Sequence, residues 1–267
     1  MRDTDLPPDE LWVCHLGHVP YSDGVAIQGT LRARRQAGEL PDTLLLLEHP
    51  PVYTRGRRSR EGELPLGESF YREQGIEVLD TDRGGRITYH GPGQLVGYPI
   101  MRIDDVGRYL RTIEDAIVAT LAEEGVRGRS RHDEGIDYTG VWVKERKIAS
   151  IGVHVSRSVT THGFAVNVTN DLEPFSWVVA CGLPDVAMTS LALELSADAT
   201  RASALECVPR LECFRRRMAF YFCHAHGRRQ RLVSPRRLGI DTTNAAGLAA
   251  ERAPINILED SRETIHV

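Results

Sequence analysis

Two short stretches carry residue types that can do covalent chemistry. The first is WVVACGLPD, which places Cys181 where an apolar, strand-like run meets a Gly-Leu-Pro turn. A thiol there can be presented as a nucleophile, although a buried and inert cysteine is the commoner fate of such a residue. The second is VWVKERKIAS, which holds Lys144 and Lys147. They are the only lysines among 33 basic residues, so the chain uses arginine almost everywhere else. Lysine can give up its proton in a suitable environment and arginine cannot, so two lysines three apart merit a chemical reading. Two chance surface lysines are the competing one.

A third stretch, RGGRITYHGPGQLVGYPI, sets Tyr89 and His90 between glycine clusters. Glycine lets backbone approach a ligand closely. The segment contains neither GxGxxG nor GxxxxGK[ST], so it is no nucleotide loop. Either a ligand-facing loop or a set of hairpin turns fits it. Cys207, Cys213, Cys223, His224 and His226 lack the two close pairs of a zinc site and read as helix packing, so no metal is expected. His49, before two prolines, and His154 and His162, in strand patterns, read as structural. Cys14 reads as core.

The elements that must hold these residues follow from periodicity. Residues 11–17, 43–49 and 76–82 read as strands, and 50–60 as a Pro-rich basic loop. A helix is expected over 22–37, capped by Ser22 or Asp23, with Val25, Ala26, Ile27, Leu31 and Ala33 as its apolar positions. A short helix is expected near 66–75. The clearest helix spans 104–125, where Val106, Tyr109, Leu110, Ile113, Ile117 and Leu121 recur at helical spacing. GVWVKER, KIASIGVHVS and THGFAVNVT suit strands, and 203–223 suits a last helix with Pro209 near its start. The order gives no repeating βαβ pattern, so the fold class is α+β, with mixed and antiparallel sheets and flanking helices.

At 267 residues with a net charge of −4, the composition is that of a globular protein. The acidic, polar start is no secretory signal, no apolar run approaches a membrane span, and five irregularly spaced cysteines are no disulfide framework. A cytoplasmic protein without membrane or nucleic-acid partners is expected. Residues 201–240 carry ten arginines against Glu206 and Glu212. A catalytic domain over 1–226 is expected, followed by a poorly ordered tail over 227–267.

In order along the chain, EHPPVYTRGRR, RGGRITYHGPGQLVGYPI, GVWVKERKIASIGVHV, THGFAVNVTNDL and ACGLPDVAMTSL resemble the lipoyl(octanoyl) transferases, also called lipoate-protein ligase B. The resemblance spans residues 11–195. It departs at Ala180, where that family usually has Pro, and in HDEGIDYTGVWV. It implies a fold related to the biotin and lipoate protein ligases. It implies transfer of an octanoyl group from acyl carrier protein, without a cofactor, to a lysine of a lipoyl domain or the glycine-cleavage H protein. It makes Cys181 the acyl-carrying nucleophile and Lys147 its partner. It assigns Arg83, Gly84, Gly85, Arg86, Ile87, Thr88, Tyr89, His90, Ser150, Ile151, Gly152, Gly163, Phe164 and Ala165 to the substrate pocket, with Tyr89 and His90 projecting polar groups into it. An ATP-using ligase of the same fold and a non-catalytic acyl-binding module are the competing readings. The arginines of 201–240 are expected to aid encounter with an acidic carrier protein.

Overall fold

The structure, a computed structural model, describes residues 9–180, 186–197, 209–241 and 264–266. The run TLLLLE shows why the centre is a sheet covered on both faces. It forms strand β2 (Thr43–Glu48). Leu44 and Leu46 enter one core while Leu45 and Leu47 enter another. Side chains alternate across a strand, so an unbroken apolar run needs a layer on each side. Strand β1 (Glu10–His18) behaves likewise, with Leu11 and Val13 on one face and Trp12 and Cys14 on the other.

Helix α1 (Tyr21–Gln36) follows β1 and covers one face through Ile27 and Leu31. After β2 the chain makes β3 (Val52–Arg55), α2 (Gly67–Glu73), β4 (Glu77–Asp80) and β5 (Thr88–His90), then β6 (Gln94–Ile100). Helix α3 (Val106–Glu123) is capped by Asp105, whose side chain accepts from the Arg108 N–H. Strands β7 (Arg129–Ser130), β8 (Gly140–Val143), β9 (Arg146–Ser156) and β10 (Val159–Asn167) follow. The chain continues through α4 (Leu191–Ser196), α5 (Leu211–Ala225), β11 (Arg229–Leu232) and β12 (Thr264–His266). Helices α3 and α5 cover the second face with Ile113, Ile117, Leu121, Phe214, Met218 and Phe222.

Among the described residues the strands form a nine-stranded mixed sheet in the order β11-β1-β2-β6-β10-β9-β8-β7, with β12 also on β9, and a three-stranded sheet β4-β3-β5. β1 is parallel to β2 and β11, and β6, β10, β9 and β8 run antiparallel in turn. Strand β9 is long enough that β8 and β12 share one of its edges. The α+β class is thus the observed one.

Several boundaries differ from the sequence expectation. The 50–60 loop contains β3, the central strand of the small sheet. Its prolines precede the strand, where they remove no ladder hydrogen bond, and Val52, Tyr53 and Thr54 are β-formers. Helix α1 begins at Tyr21 after Pro20, with no side-chain cap from Ser22 or Asp23. Its buried side includes Asp23, Gln28 and Arg35, while Ala26 and Ala33 are exposed. Arg35 Nε donates to Asp42 Oδ1 at 2.8 Å, so this face packs on polar partners as well as apolar ones. Helix α5 starts at Leu211, and residues 203–208 of the expected helix lie outside the described residues.

The tail is corrected for residues 227–241. β11 pairs in parallel with β1 from Glu10↔Arg229 to Val13↔Leu232. A 3₁₀ turn over Pro235–Leu238 follows, and Leu238 (1% exposed) and Ile240 are buried beside α1. Three of the segment's arginines are engaged: Arg228 with Asp42, Arg229 with Asp9 and Arg231 with Glu10. A leucine buried this fully contributes about 2–5 kcal/mol relative to alanine. Leu238→Ala is therefore expected to lower unfolding free energy by roughly 2–4 kcal/mol in urea titrations. An unchanged midpoint would return this segment to the status of an appendage.

Candidate active site

A cleft lies where the Gly-rich segment meets β9 and β10. It encloses about 660 Å³ of atom-free space, its open mouth included. Arg83, Gly85, Arg86, Thr88 and His90 line it from the first segment. Lys147, Ser150, Ile151 and Gly152 line it from β9, and Gly163, Phe164 and Ala165 from β10. The antiparallel register explains the meeting of these runs, because Gly163 pairs with Gly152 and Ala165 with Ser150.

Three residues expected in the pocket do not line it. Gly84 is a fastener: its N–H donates to the Val153 carbonyl at 3.0 Å. Ile87 and Tyr89 turn away, packing in the third apolar cluster beside Tyr53 and Phe175. Strand alternation is the reason: in β5, Thr88 and His90 share one face and Tyr89 takes the other. Tyr89 therefore does not project its hydroxyl into the cleft, contrary to expectation.

The glycines act through close approach. A Cβ on Gly152 would stand 2.8 Å from the Gly84 carbonyl oxygen, inside any real contact distance. Gly85 takes φ +82°, a conformation closed to most residues. Arg83 locks the same loop. Its guanidinium donates to the Thr54 carbonyl at 2.6 Å, to Thr54 Oγ1 at 2.7 Å and to the Gly84 carbonyl at 2.9 Å.

Lys144 and Lys147 have different surroundings. Lys144 is exposed at φ 55° in the β8–β9 turn. Lys147 is 2% exposed and its Nζ lies 5.4 Å from the centre of the Trp142 ring. No carboxylate pairs with it among the described residues. A buried lysine with so few polar partners costs free energy, which makes the position a candidate for chemistry. Its backbone ties down the segment after Cys181: Lys147 N–H donates to Ala187 O at 3.0 Å, and Thr189 N–H to Lys147 O at 2.9 Å. Before Cys181, Ala180 is buried in the third cluster, and Val179 N–H donates to Glu63 O at 3.1 Å. Cys181 itself, with Gly182–Asp185, lies outside the described residues.

His154 and His162, which read as structural from their strand patterns, meet at one carboxylate. Asp82 receives His162 Nε2 at 2.6 Å and His154 Nδ1 at 2.9 Å. Burial alone would raise the Asp82 carboxyl, but these hydrogen bonds outweigh it and hold the group well below the usual carboxylate range. His162 also lines the cleft, at φ 57° within β10, held by its N–H to Gln28 Oε1. Such a backbone outlier persists only where its surroundings over-determine it. His49 Nδ1 lies 2.6 Å from Val19 O and Nε2 2.7 Å from the Tyr98 hydroxyl. The carbonyl must accept, so Nδ1 carries the proton and Nε2 accepts from Tyr98. Burial pushes the His49 ring down to about 4.

Tyr21, Arg58, Val96, Tyr98, Ile136, Asp137 and Thr139 also line the cleft and were not anticipated. Val96 and Tyr98 were visible as alternate residues of β6, within the quoted glycine-rich stretch. Ile136, Asp137 and Thr139 come from the HDEGIDYTG segment, which an Arg58–Asp137 ion pair of 3.2 Å links to the loop after β3. Such long-range pairing leaves no local sequence signal. Among the described residues no three His, Cys, Asp or Glu side chains converge as a metal set, and no helix is long and apolar enough to cross a membrane.

Residues 20–210 match the family described as the lipoyl protein ligase A/B catalytic domain. An octanoyltransferase of Rubrobacter xylanophilus is 49% identical over 183 residues, covering 67% of this chain and 81% of that protein. One from Acidothermus cellulolyticus is 49% identical over 193 residues, covering 70% and 84%. In fold, the chain is similar to a lipoate-protein ligase A bound with ATP (TM-score 0.66, 17% identity, 90% and 92% covered). It is also similar to a bi-partite lipoate protein ligase from Thermoplasma acidophilum (TM-score 0.62, 16% identity, 92% and 99% covered).

The depressed His49 ring makes a pH prediction. Above 6.5 the ring is neutral in both folded and unfolded chains. Between 6.5 and about 4 the unfolded chain binds a proton that the folded ring refuses, so stability falls as pH falls through this window. The contribution reaches about 3 kcal/mol at the acid end. His49→Gln removes it, so stability of this variant should decline less steeply than wild type between pH 6.5 and 4. Parallel pH profiles in denaturant titrations would show that His49 is not held neutral.

Proposed function

We propose, for a chain that belongs to the lipoyl protein ligase A/B catalytic family, that octanoyl transfer runs through a thioester on Cys181 with Lys147 as proton acceptor. The enzyme is an acyltransferase, and its activity is octanoyl transfer in lipoate synthesis, as in the relatives of that name. The donor is octanoyl-acyl carrier protein. The acceptor is a lysine of a lipoyl domain or of the glycine-cleavage H protein. The observation that carries this reading is the buried Lys147 side chain in the cleft, tied by two backbone hydrogen bonds to the segment that leads back to Cys181. A reducing cytoplasm fits the free thiols of Cys14, Cys213 and Cys223.

The chemistry divides into two balanced transfers. In the first, the Cys181 thiolate attacks the donor's acyl carbon, a new C–S bond forms as the donor's C–S bond breaks, and the carrier's sulfur leaves with the proton of the Lys147 ammonium, which becomes a free amine. Exchange of one thioester for another is close to isoenergetic. In the second, the target amine forms a C–N bond as the Cys181 C–S bond breaks, and the amine's proton passes to Lys147. A free thiol titrates near 8.5, so only a few per cent is thiolate at neutral pH. An ammonium about 4 Å away favours the thiolate by up to about 4 kcal/mol at an effective dielectric near 20, before desolvation subtracts from it. Ile151, Val96, Phe164 and Ala165 give the cleft apolar wall for an acyl chain.

Mixing the protein with octanoyl-acyl carrier protein should add one octanoyl mass to Cys181 without ATP or metal. An adduct that forms only with ATP would move the chain to the ligases. Cys181→Ser should abolish turnover and leave the circular dichroism spectrum unchanged. Lys147→Arg keeps the charge and removes the proton acceptor. It should lower turnover on the order of 10²–10⁴-fold, most in transfer to the amine. Lys147→Ala assayed at raised pH controls for the bulk of arginine, since hydroxide then partly restores the thiolate. Near-normal turnover by Lys147→Arg would leave Lys147 an electrostatic partner only.

A further inference from the structure

His90 is 6% exposed, lines the cleft, and stacks on Tyr21 with ring centroids 5.9 Å apart. Among the described residues only one of its nitrogens has a partner: Nδ1 lies 2.7 Å from Gln94 Oε1. The side chains behind it settle where the ring proton sits, because a main-chain carbonyl can only accept. Asn167 Nδ2 donates to the Thr189 carbonyl at 3.0 Å, which fixes the Asn167 amide. Asn170 Nδ2 donates to the Asp171 carbonyl and to Asn167 Oδ1, both at 3.2 Å. Gln94 Nε2 donates to the Tyr89 carbonyl at 3.1 Å and to Asn167 Oδ1 at 2.9 Å. Both Gln94 N–H groups are thereby used, and its oxygen faces His90. The proton of the hydrogen bond must then come from His90 Nδ1. Burial, with His49 nearby, keeps the ring neutral, so Nε2 holds a bare lone pair.

We propose that Gln94 and Asn167 are positioning residues that lock His90 in its Nδ1-protonated form, so that Nε2 gives the cleft a fixed hydrogen-bond acceptor for one N–H of the attacking lysine amine. This rests on the acyl-transfer reading above. An attacking amine must aim its lone pair at the thioester carbon, and an N–H held by a rigid acceptor sets that direction. Arg58, Arg83 and Arg86 also line the cleft and can only donate, so they cannot supply this contact. His90 keeps its own proton throughout. The amine's proton passes to Lys147 as the C–N bond forms and the C–S bond breaks.

Long-range ¹⁵N–¹H correlation spectra of the histidines report the tautomer without any reaction. The His90 signals, assigned by their loss in His90→Gln, should show a protonated Nδ1 and a bare Nε2. A protonated Nε2 overturns the proposal. Gln94→Glu conserves size, but its charge favours protonation of both ring nitrogens and closes the acceptor. In single-turnover assays, transfer from preformed octanoyl-Cys181 to a lipoyl domain should fall about 10- to 100-fold, while acylation of Cys181 stays within about threefold. Equal losses in both half-reactions overturn the amine role. If Gln94→Glu does not fold, the wild-type tautomer decides. If wild type forms no octanoyl-Cys181, the acyl-transfer reading and the amine role both fail, while an Nδ1-protonated His90 would still establish the lock.

Discussion

The site depends on one joint, where bare backbone of the Gly-rich segment lies directly on strand β9. Gly84 N–H donates to Val153 O, and the Gly84 carbonyl approaches Gly152 so closely that no side chain fits between them. Arg83 completes the joint by fastening the same loop to Thr54 in the small sheet. The two sheets share no strand, so this contact helps to set how the face bearing Thr88 and His90 stands relative to Lys147 and Ser150. A methyl group at Gly152 would push the walls of the cleft apart.

Around that joint the protein buries several polar and titratable groups. Lys147, Arg83, His49, His90 and His162 are all buried. Unpaired, such groups would cost several kcal/mol each. Most are held instead by directional partners: Asp82 between two histidines, His49 between a carbonyl and a tyrosine hydroxyl, and His90 against an amide chain ending on carbonyls. Hydrogen-bonded networks of this kind fix side-chain orientation. Lys147 is the exception among the described residues, with an aromatic face as its one neighbour of note. A buried lysine so placed within a polar frame is in keeping with the proton-accepting role proposed for it.

The polar frame also explains α1. Its buried side carries Gln28 and Arg35 as well as Ile27 and Leu31, because the helix covers the apolar sheet and reaches the back of β10 at His162. A periodicity reading that seeks only apolar positions therefore places the helix correctly and misjudges its face. Similarly, β11 and the Pro235–Leu238 turn are short and rich in arginine, and are stable because β1 leaves an edge to pair with and α1 leaves Leu238 a place to bury. Tertiary context overrides composition there.

The sequence by itself determined the α+β class, the long helix α3, and the strands that carry Lys147 and Gly163. Each rests on a local period or a turn residue, and local patterns survive in one dimension. It also marked the Gly-rich run and the two lysines, because residue type alone restricts what backbone and proton chemistry can occur. It did not reveal that Lys144 is exposed and Lys147 buried, that Tyr89 turns away from the cleft while His90 faces it, or that Asp82, His154 and His162 meet. Those outcomes depend on strand register and on which face of each strand finds a partner. A shift of one residue reverses every side chain on a strand, and pairing between residues 80 positions apart leaves no trace in either neighbourhood.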